Sequence, residues 1–136
     1  MTHVLLVGSE VSLLEGLAQS LAALGHDPVV ATSLAEARDL AMLETPLVLV
    51  VSRSLASNAG AELLAVPIAA GGARLLYRAA ATPLAPLLPA LQRSVLADLT
   101  LPLERHRLAA LVQSLGERAR VTGRLLRPAP PDTHAR

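Results

Sequence analysis

The sequence contains no cysteine, no lysine, no phenylalanine and no tryptophan, and Tyr77 is its only aromatic side chain. Each absence removes a class of chemistry. Without cysteine there are no disulfides and no thiolate nucleophiles or thiolate metal ligands. Without lysine, no mechanism that needs a lysine ammonium is open, because all 12 Lys and Arg residues are arginines. Single-stranded nucleic acids are gripped by base stacking on flat rings, which this chain cannot supply. The formal net charge is +1, too small to steer the surface toward DNA or anionic lipid. No apolar run reaches the roughly 18 residues of a membrane span. The N-terminus lacks the basic and apolar regions of a signal peptide. A cytoplasmic protein that binds neither nucleic acid nor membrane is therefore expected.

What the chain does have is aliphatic mass. Of 136 residues, 52% are hydrophobic, nearly all Ala, Leu and Val. That is enough for one domain with a packed core.

The pattern alternates strand and helix. Val4 to Val7 is a continuous apolar run, suited to a strand covered on both faces. Leu13, Leu14, Leu17, Leu21 and Leu24 then recur at helical spacing, with Gly25 placed to cap the helix at positive φ. "DPVVAT" is a short strand whose Pro28 cannot donate a ladder hydrogen bond, which assigns it to a sheet edge. "SLAE", Ser33 to Glu36, is a capping box opening a helix of about three turns. "LVLVVS", Leu47 to Ser52, is the most apolar segment and reads as the central strand. "SLASNAG" reads as loop, Ala61 to Ala65 as a short helix, Gly71 and Gly72 as a hinge, and "ARLLYR" as a fourth strand. Pro83, Pro86 and Pro89 restrict the next helix to a short or irregular one starting near Pro89. "ADLT" is a fifth strand. Leu108, Leu111, Val112 and Leu115 mark a last helix that ends near Gly116 or a turn later. "RPAPPDTHAR" is a proline-rich tail or linker.

Short connections and right-handed crossovers turn this alternation into a doubly wound parallel sheet between helices. The expected class is α/β, a flavodoxin-like (βα)5 three-layer sandwich with strand order 2-1-3-4-5. The boundary between domain and tail is expected at residues 120 and 121.

Over Thr2 to Arg118 the chain resembles the receiver domains of two-component response regulators. "HVLLVGSE" is similar to that family's first strand and acidic turn, and "LAALGHDPVVATSLAEA" to its first helix, second strand and second helix. "PLVLVVS" is similar to the third strand, Gly60 to the glycine in the loop after it, and "ADLTLPLERHRL" to the fifth strand and last helix. In active members, an acidic pair after strand 1 and an aspartate ending strand 3 hold Mg²⁺. That aspartate accepts a phosphoryl group, which a Thr or Ser after strand 4 and a Lys after strand 5 contact. Magnesium needs hard oxygen ligands, and developing phosphoryl charge needs cations or donors.

Matched position by position, this machinery is replaced. The acidic pair becomes Gly8 and Ser9, with Glu10 matching the acidic residue that commonly follows. Ser52 stands at the phosphoacceptor, Arg78 at the Thr/Ser position and Leu101 at the lysine. None of the four aspartates is placed to reach the end of strand 3. A serine hydroxyl would need a base or metal to activate it, so no phosphoacceptor, metal or cofactor is expected. Arg78 either enters the emptied pocket, pairing with Glu10 or hydrogen-bonding Ser9 or Ser52, or points into solvent. Arg53 reads as a surface charge. His3, His26, His106 and His134 show no paired metal spacing.

The resemblance implies a degenerate, or pseudo-, receiver domain. It would be a non-enzymatic module for protein–protein interaction and regulation in a bacterial two-component-type pathway, independent of phosphorylation. The implied partners are other proteins or a fused output domain. A homodimer through the face of helix 4, strand 5 and helix 5 is a further arrangement, and Tyr77, Leu101, Leu103 and the prolines could supply a patch there. Two rivals stand beside this reading: a sensor of small anionic ligands using the vacated pocket with Arg53 or Arg78, and residual phosphorylation of Ser52.

Overall fold

The computed structural model describes residues 2–58, 60–79, 87 and 89–126. Five strands form one parallel sheet: β1 (His3–Val7), β2 (Asp27–Ala31), β3 (Val48–Ser52), β4 (Ala73–Ala79) and β5 (Val95–Leu101). Their order is β2-β1-β3-β4-β5, every pair parallel, as the sequence predicts. The helices are α1 (Val11–Ala23), α2 (Leu34–Leu43), α3 (Arg53–Asn58), α4 (Gly60–Ala65), α5 (Pro89–Ser94) and α6 (Arg105–Leu126).

All five residues of β3 are buried, as befits the middle strand of a sheet covered on both sides. β2 lies at an edge, where the missing N–H of Pro28 costs nothing on its outer side. Alternation along the strands divides the core. Leu6, Val50, Leu75 and Leu99 pack toward Leu14, Leu17, Leu108 and Val112 of α1 and α6. Leu5, Val51 and Leu76 pack toward Leu34, Ala37, Leu63 and Leu91 on the other side. Two local signals act as read: the Ser33 hydroxyl accepts the Glu36 N–H at 3.1 Å, and Gly25 follows α1 at φ +90°.

Two expectations need correction. "SLASNAG" is not a loop: its first residues belong to α3, which turns Ala56 fully into the core. Burial of that face outweighs the weak helix propensity of the surrounding Ser and Asn. The last helix does not stop near Gly116 or a turn later but runs to Leu126. Gly116 is a packing glycine, not a terminator. A Cβ there would come within 2.4 Å of the Thr2 hydroxyl, so its smallness lets α6 lie against the start of β1. α5 is short, as expected, and begins at Pro89. Pro83, Pro86 and the tail from 127 to 136 lie outside the described residues.

Gly72 and Gly16 make a contrasting pair. A Cβ at Gly72 would meet the Leu47 carbonyl oxygen at 2.3 Å, whereas one at Gly16, exposed in mid-α1, meets nothing within 4 Å. Chemical denaturation is expected to show Gly72→Ala destabilised by about 1–3 kcal/mol. Gly16→Ala should gain about 0.5–1 kcal/mol.

Candidate functional site

Parallel strands end on one edge, and an open sheet of this order reverses direction between β1 and β3, where its crevice lies. Gly8, Ser9 and Glu10 follow β1 at that edge, and Ser52 ends β3 directly opposite Tyr77 of β4. The hydrogen bond from the Gly8 N–H to the Ala31 carbonyl, 3.1 Å, fixes the turn after β1 against β2.

The centre of the site is the side chain of Tyr77. It is fully buried, and its ring packs with the apolar residues under α1 and α6. Its hydroxyl lies where a side chain at position 8 would begin. A Cβ built on Gly8 would sit 2.0 Å from the phenolic oxygen, 3.1 Å from the ring carbon bearing it and 3.3 Å from the Ser52 Cβ. Glycine at position 8 and tyrosine at position 77 are therefore one feature: the aromatic side chain fits because the residue facing it has no Cβ.

A polar tip buried this deeply needs a partner. The Tyr77 hydroxyl donates to Glu10 Oε2 at 3.4 Å, a long bond, and the Ser9 hydroxyl donates to the same oxygen at 3.0 Å. Burial pushes the phenol well above its usual range. The negative charge of Glu10 and the hydrogen bond to it act in the same sense, while the Ser52 hydroxyl works against them. Ser52 is itself 2% exposed, and its hydroxyl shares a 2.9 Å hydrogen bond with the Ser54 hydroxyl.

The remaining site positions are placed by the same alternation. Arg78, next along β4, projects to the other face of the strand from Tyr77. It is half-buried, and its charge adds to the forces that hold the Glu104 carboxyl below the usual carboxylate range. The chief of these is the Thr100 backbone N–H, which donates to Glu104 at 2.7 Å, followed by Arg107. The side chain that stands beside Gly8 is Tyr77, a residue the sequence reading does not place there; for Arg78 it leaves two positions open, the pocket or solvent. Leu101 is fully buried among the residues under α6, and a cis peptide bond joins it to Pro102.

Arg53 corrects the sequence reading most clearly. Expected as a surface charge, it is only 8% exposed and forms an ion pair with Asp98 of β5, reaching over β4 to do so. The aspartate judged out of reach of strand 3 is met by the long side chain that follows that strand. The patch expected from Tyr77, Leu101, Leu103 and the prolines is also revised, Pro83 and Pro86 lying outside the described residues. Tyr77 and Leu101 have no exposed surface, and of the three only Leu103, 74% exposed, could touch a partner.

No family model matches the sequence, and no curated protein matches it either. Solved structures do resemble the fold. The signal receiver domain of a LuxO repressor protein from Vibrio parahaemolyticus superposes with a TM-score of 0.69 at 17% identity, covering 93% of this chain and 98% of that one. A response regulator receiver domain protein from Clostridium thermocellum gives 0.68 at 14% identity, covering 90% and 99%. A CheY-like receiver domain from Methylobacillus flagellatus gives 0.66 at 16% identity, covering 85% and 98%. The chain has the receiver-domain fold.

Tyr77 is the chain's only tyrosine, so its ionisation can be followed alone by ultraviolet absorbance. The unfolded chain releases the phenolic proton near its ordinary value of about 10, whereas the folded chain retains it. Alkaline pH then favours the unfolded state, and stability should fall as pH rises through and above about 10. Denaturation series across that range are expected to show this decline in the wild type and a flatter one in Tyr77→Phe.

Proposed function

We propose that this chain is a pseudo-receiver: a receiver fold that signals by binding proteins, without an aspartyl-phosphate cycle and without catalysis. The observation that carries the reading is the Tyr77 hydroxyl seated beside Gly8 and Ser52, in the space that the resemblance assigns to metal and phosphoryl group.

The magnesium ion of receiver domains does not fit the donor set on this edge. Mg²⁺ takes near-ideal octahedral oxygen coordination, with carboxylates as its protein anchors. Here one carboxylate, Glu10, already accepts hydrogen bonds from Ser9 and Tyr77. At the acceptor position, the hydroxyl of Ser52 is engaged with another hydroxyl, that of Ser54, which is no base to activate it. The lysine position holds a buried leucine, so no cation is supplied there to meet phosphoryl charge.

Without a phosphorylation cycle, the site is held in one state by packing and hydrogen bonds. Regulation would then come from the concentration or state of a partner protein, or from an output domain joined through the proline-rich end of the chain. In this reading the receiver-like unit is residues 1–120. Residues 121–136 are the tail or linker, and the first of them prolong α6 to Leu126. Among the described residues no helix is long and apolar enough to cross a membrane, which suits the bacterial cytoplasm we assign. The rival reading, a sensor of small anions held by Arg53 or Arg78 in the vacated pocket, is less well supported. Arg53 is paired with Asp98, and Tyr77 takes the space beside Gly8.

Incubation with acetyl phosphate and Mg²⁺, followed by intact-mass spectrometry, tests the proposal. The expected spectrum shows the unmodified chain alone. A phosphoryl adduct that disappears in Ser52→Ala would mean that the site still accepts phosphate.

A further inference from the structure

At the opposite, amino edge of the sheet, three metal-ligating side chains converge from three different elements. His3 opens β1, and Asp27 opens β2 as its register partner. Glu44 is the residue that terminates α2. The His3 Nδ1 lies 2.8 Å from Asp27 Oδ2, and its Nε2 lies 2.6 Å from Glu44 Oε1. One ligand atom from each residue falls within 4.8 Å of the other two.

The two short contacts pose a chemical problem. A neutral imidazole carries one N–H and one lone pair. It can donate to one carboxylate, but its other nitrogen then turns a lone pair toward a carboxylate oxygen at hydrogen-bonding distance. Both ring nitrogens thus face carboxylate oxygens, a set of donors that a cation can gather. Two carboxylates around one imidazole offer two formal negative charges, the complement of a divalent cation.

The geometry suits a metal. Zinc binds His nitrogen at about 2.0–2.1 Å and carboxylate oxygen at about 2.0–2.2 Å, so tetrahedral ligands stand about 3.4 Å apart. The two His3 contacts, 2.8 and 2.6 Å, must open and the wider separation close toward that spacing, movements left to rotation of side chains that are 60% exposed at Glu44, 38% at His3 and 39% at Asp27. The backbone positions are already set by the β1–β2 register and the end of α2. A mixed set of one imidazole and two carboxylates favours Zn²⁺-class ions over Mg²⁺, which prefers oxygen and retains its water. The three side chains also line one open pocket of about 150 Å³, together with Val29, Leu40 and Leu43.

We propose that His3, Asp27 and Glu44 form a binding site for a divalent transition-metal ion of the Zn²⁺ type, with water completing its coordination. A bound ion ties the edge strand β2 and the end of α2 to β1, and stabilises the folded chain by mass action. The site is at the other end of the sheet from Gly8 and Tyr77 and does not depend on the function proposed for that edge.

The test is titration of the EDTA-treated full chain with Zn²⁺, and with Co²⁺ as a visible-absorbing substitute, by calorimetry and absorbance at pH 7.5. One ion per chain is expected, together with a raised Tm. Affinity should fall at least about tenfold in His3→Gln and in Glu44→Gln and stay unchanged in His106→Gln. Circular dichroism verifies that each variant is folded. Absence of saturable Zn²⁺ and Co²⁺ binding, or wild-type affinity in His3→Gln, would overturn the proposal.

Discussion

The Tyr77 hydroxyl and a side chain at position 8 compete for one volume, and the chain has resolved the competition in favour of the tyrosine. Most of what sets this carboxyl edge apart follows from that exclusion. Glycine is required at position 8, so the turn after β1 carries no carboxylate there. The buried phenol needs an acceptor, and Glu10 provides it. Glu10 is thereby drawn into a hydrogen-bond network with Ser9 and Tyr77. The one aromatic side chain in the sequence is spent inside the sheet's crevice, and the core elsewhere is built from aliphatic residues alone.

The second polar device at this edge, Arg53 with Asp98, extends the same closure to the other face of the sheet. It links the residue after β3 to β5 across β4. The guanidinium is well buried and the carboxylate about one-third exposed, so the pair is partly screened. Its main effect is positional: it fixes the guanidinium that follows β3 against a carboxylate of β5. Position 53 therefore holds a charge committed within the fold. On the two faces, Ser52 is engaged with Ser54, Tyr77 with Glu10 and Arg53 with Asp98.

Much of this was legible in the residues. The continuous apolar run at Leu47 to Ser52, the proline in β2 and the Ser33 capping box gave strand order, edge and helix start, because each is a local signal with one structural meaning. Gly8, Ser52 and Leu101 were singled out by the resemblance to receiver domains. Their partners were not. Whether Tyr77 or Arg78 enters the crevice depends on which face each side chain of β4 takes, and a one-residue change of register exchanges the two. The clue available in sequence was the pairing of a glycine after β1 with the lone aromatic on β4. Arg53 and Asp98 stand 45 positions apart, and no periodicity joins them. The same holds for His3, Asp27 and Glu44, brought together from three elements at the amino edge, whereas spacing rules for metal ligands look along one helix or loop. The length of α6 was missed because Gly116 looks like a terminator until the strand packed against it is seen.

The central claim is that one hydroxyl occupies the space of the missing side chain at position 8. A double-mutant cycle on folding stability with Gly8→Ala and Tyr77→Phe addresses it most directly. Gly8→Ala should cost about 1–3 kcal/mol in the wild-type background, as a methyl group forced into filled space does. With the hydroxyl removed by Tyr77→Phe, the same substitution should lose at least half of that cost. Additive effects, with Gly8→Ala equally costly or equally harmless in both backgrounds, would contradict the account.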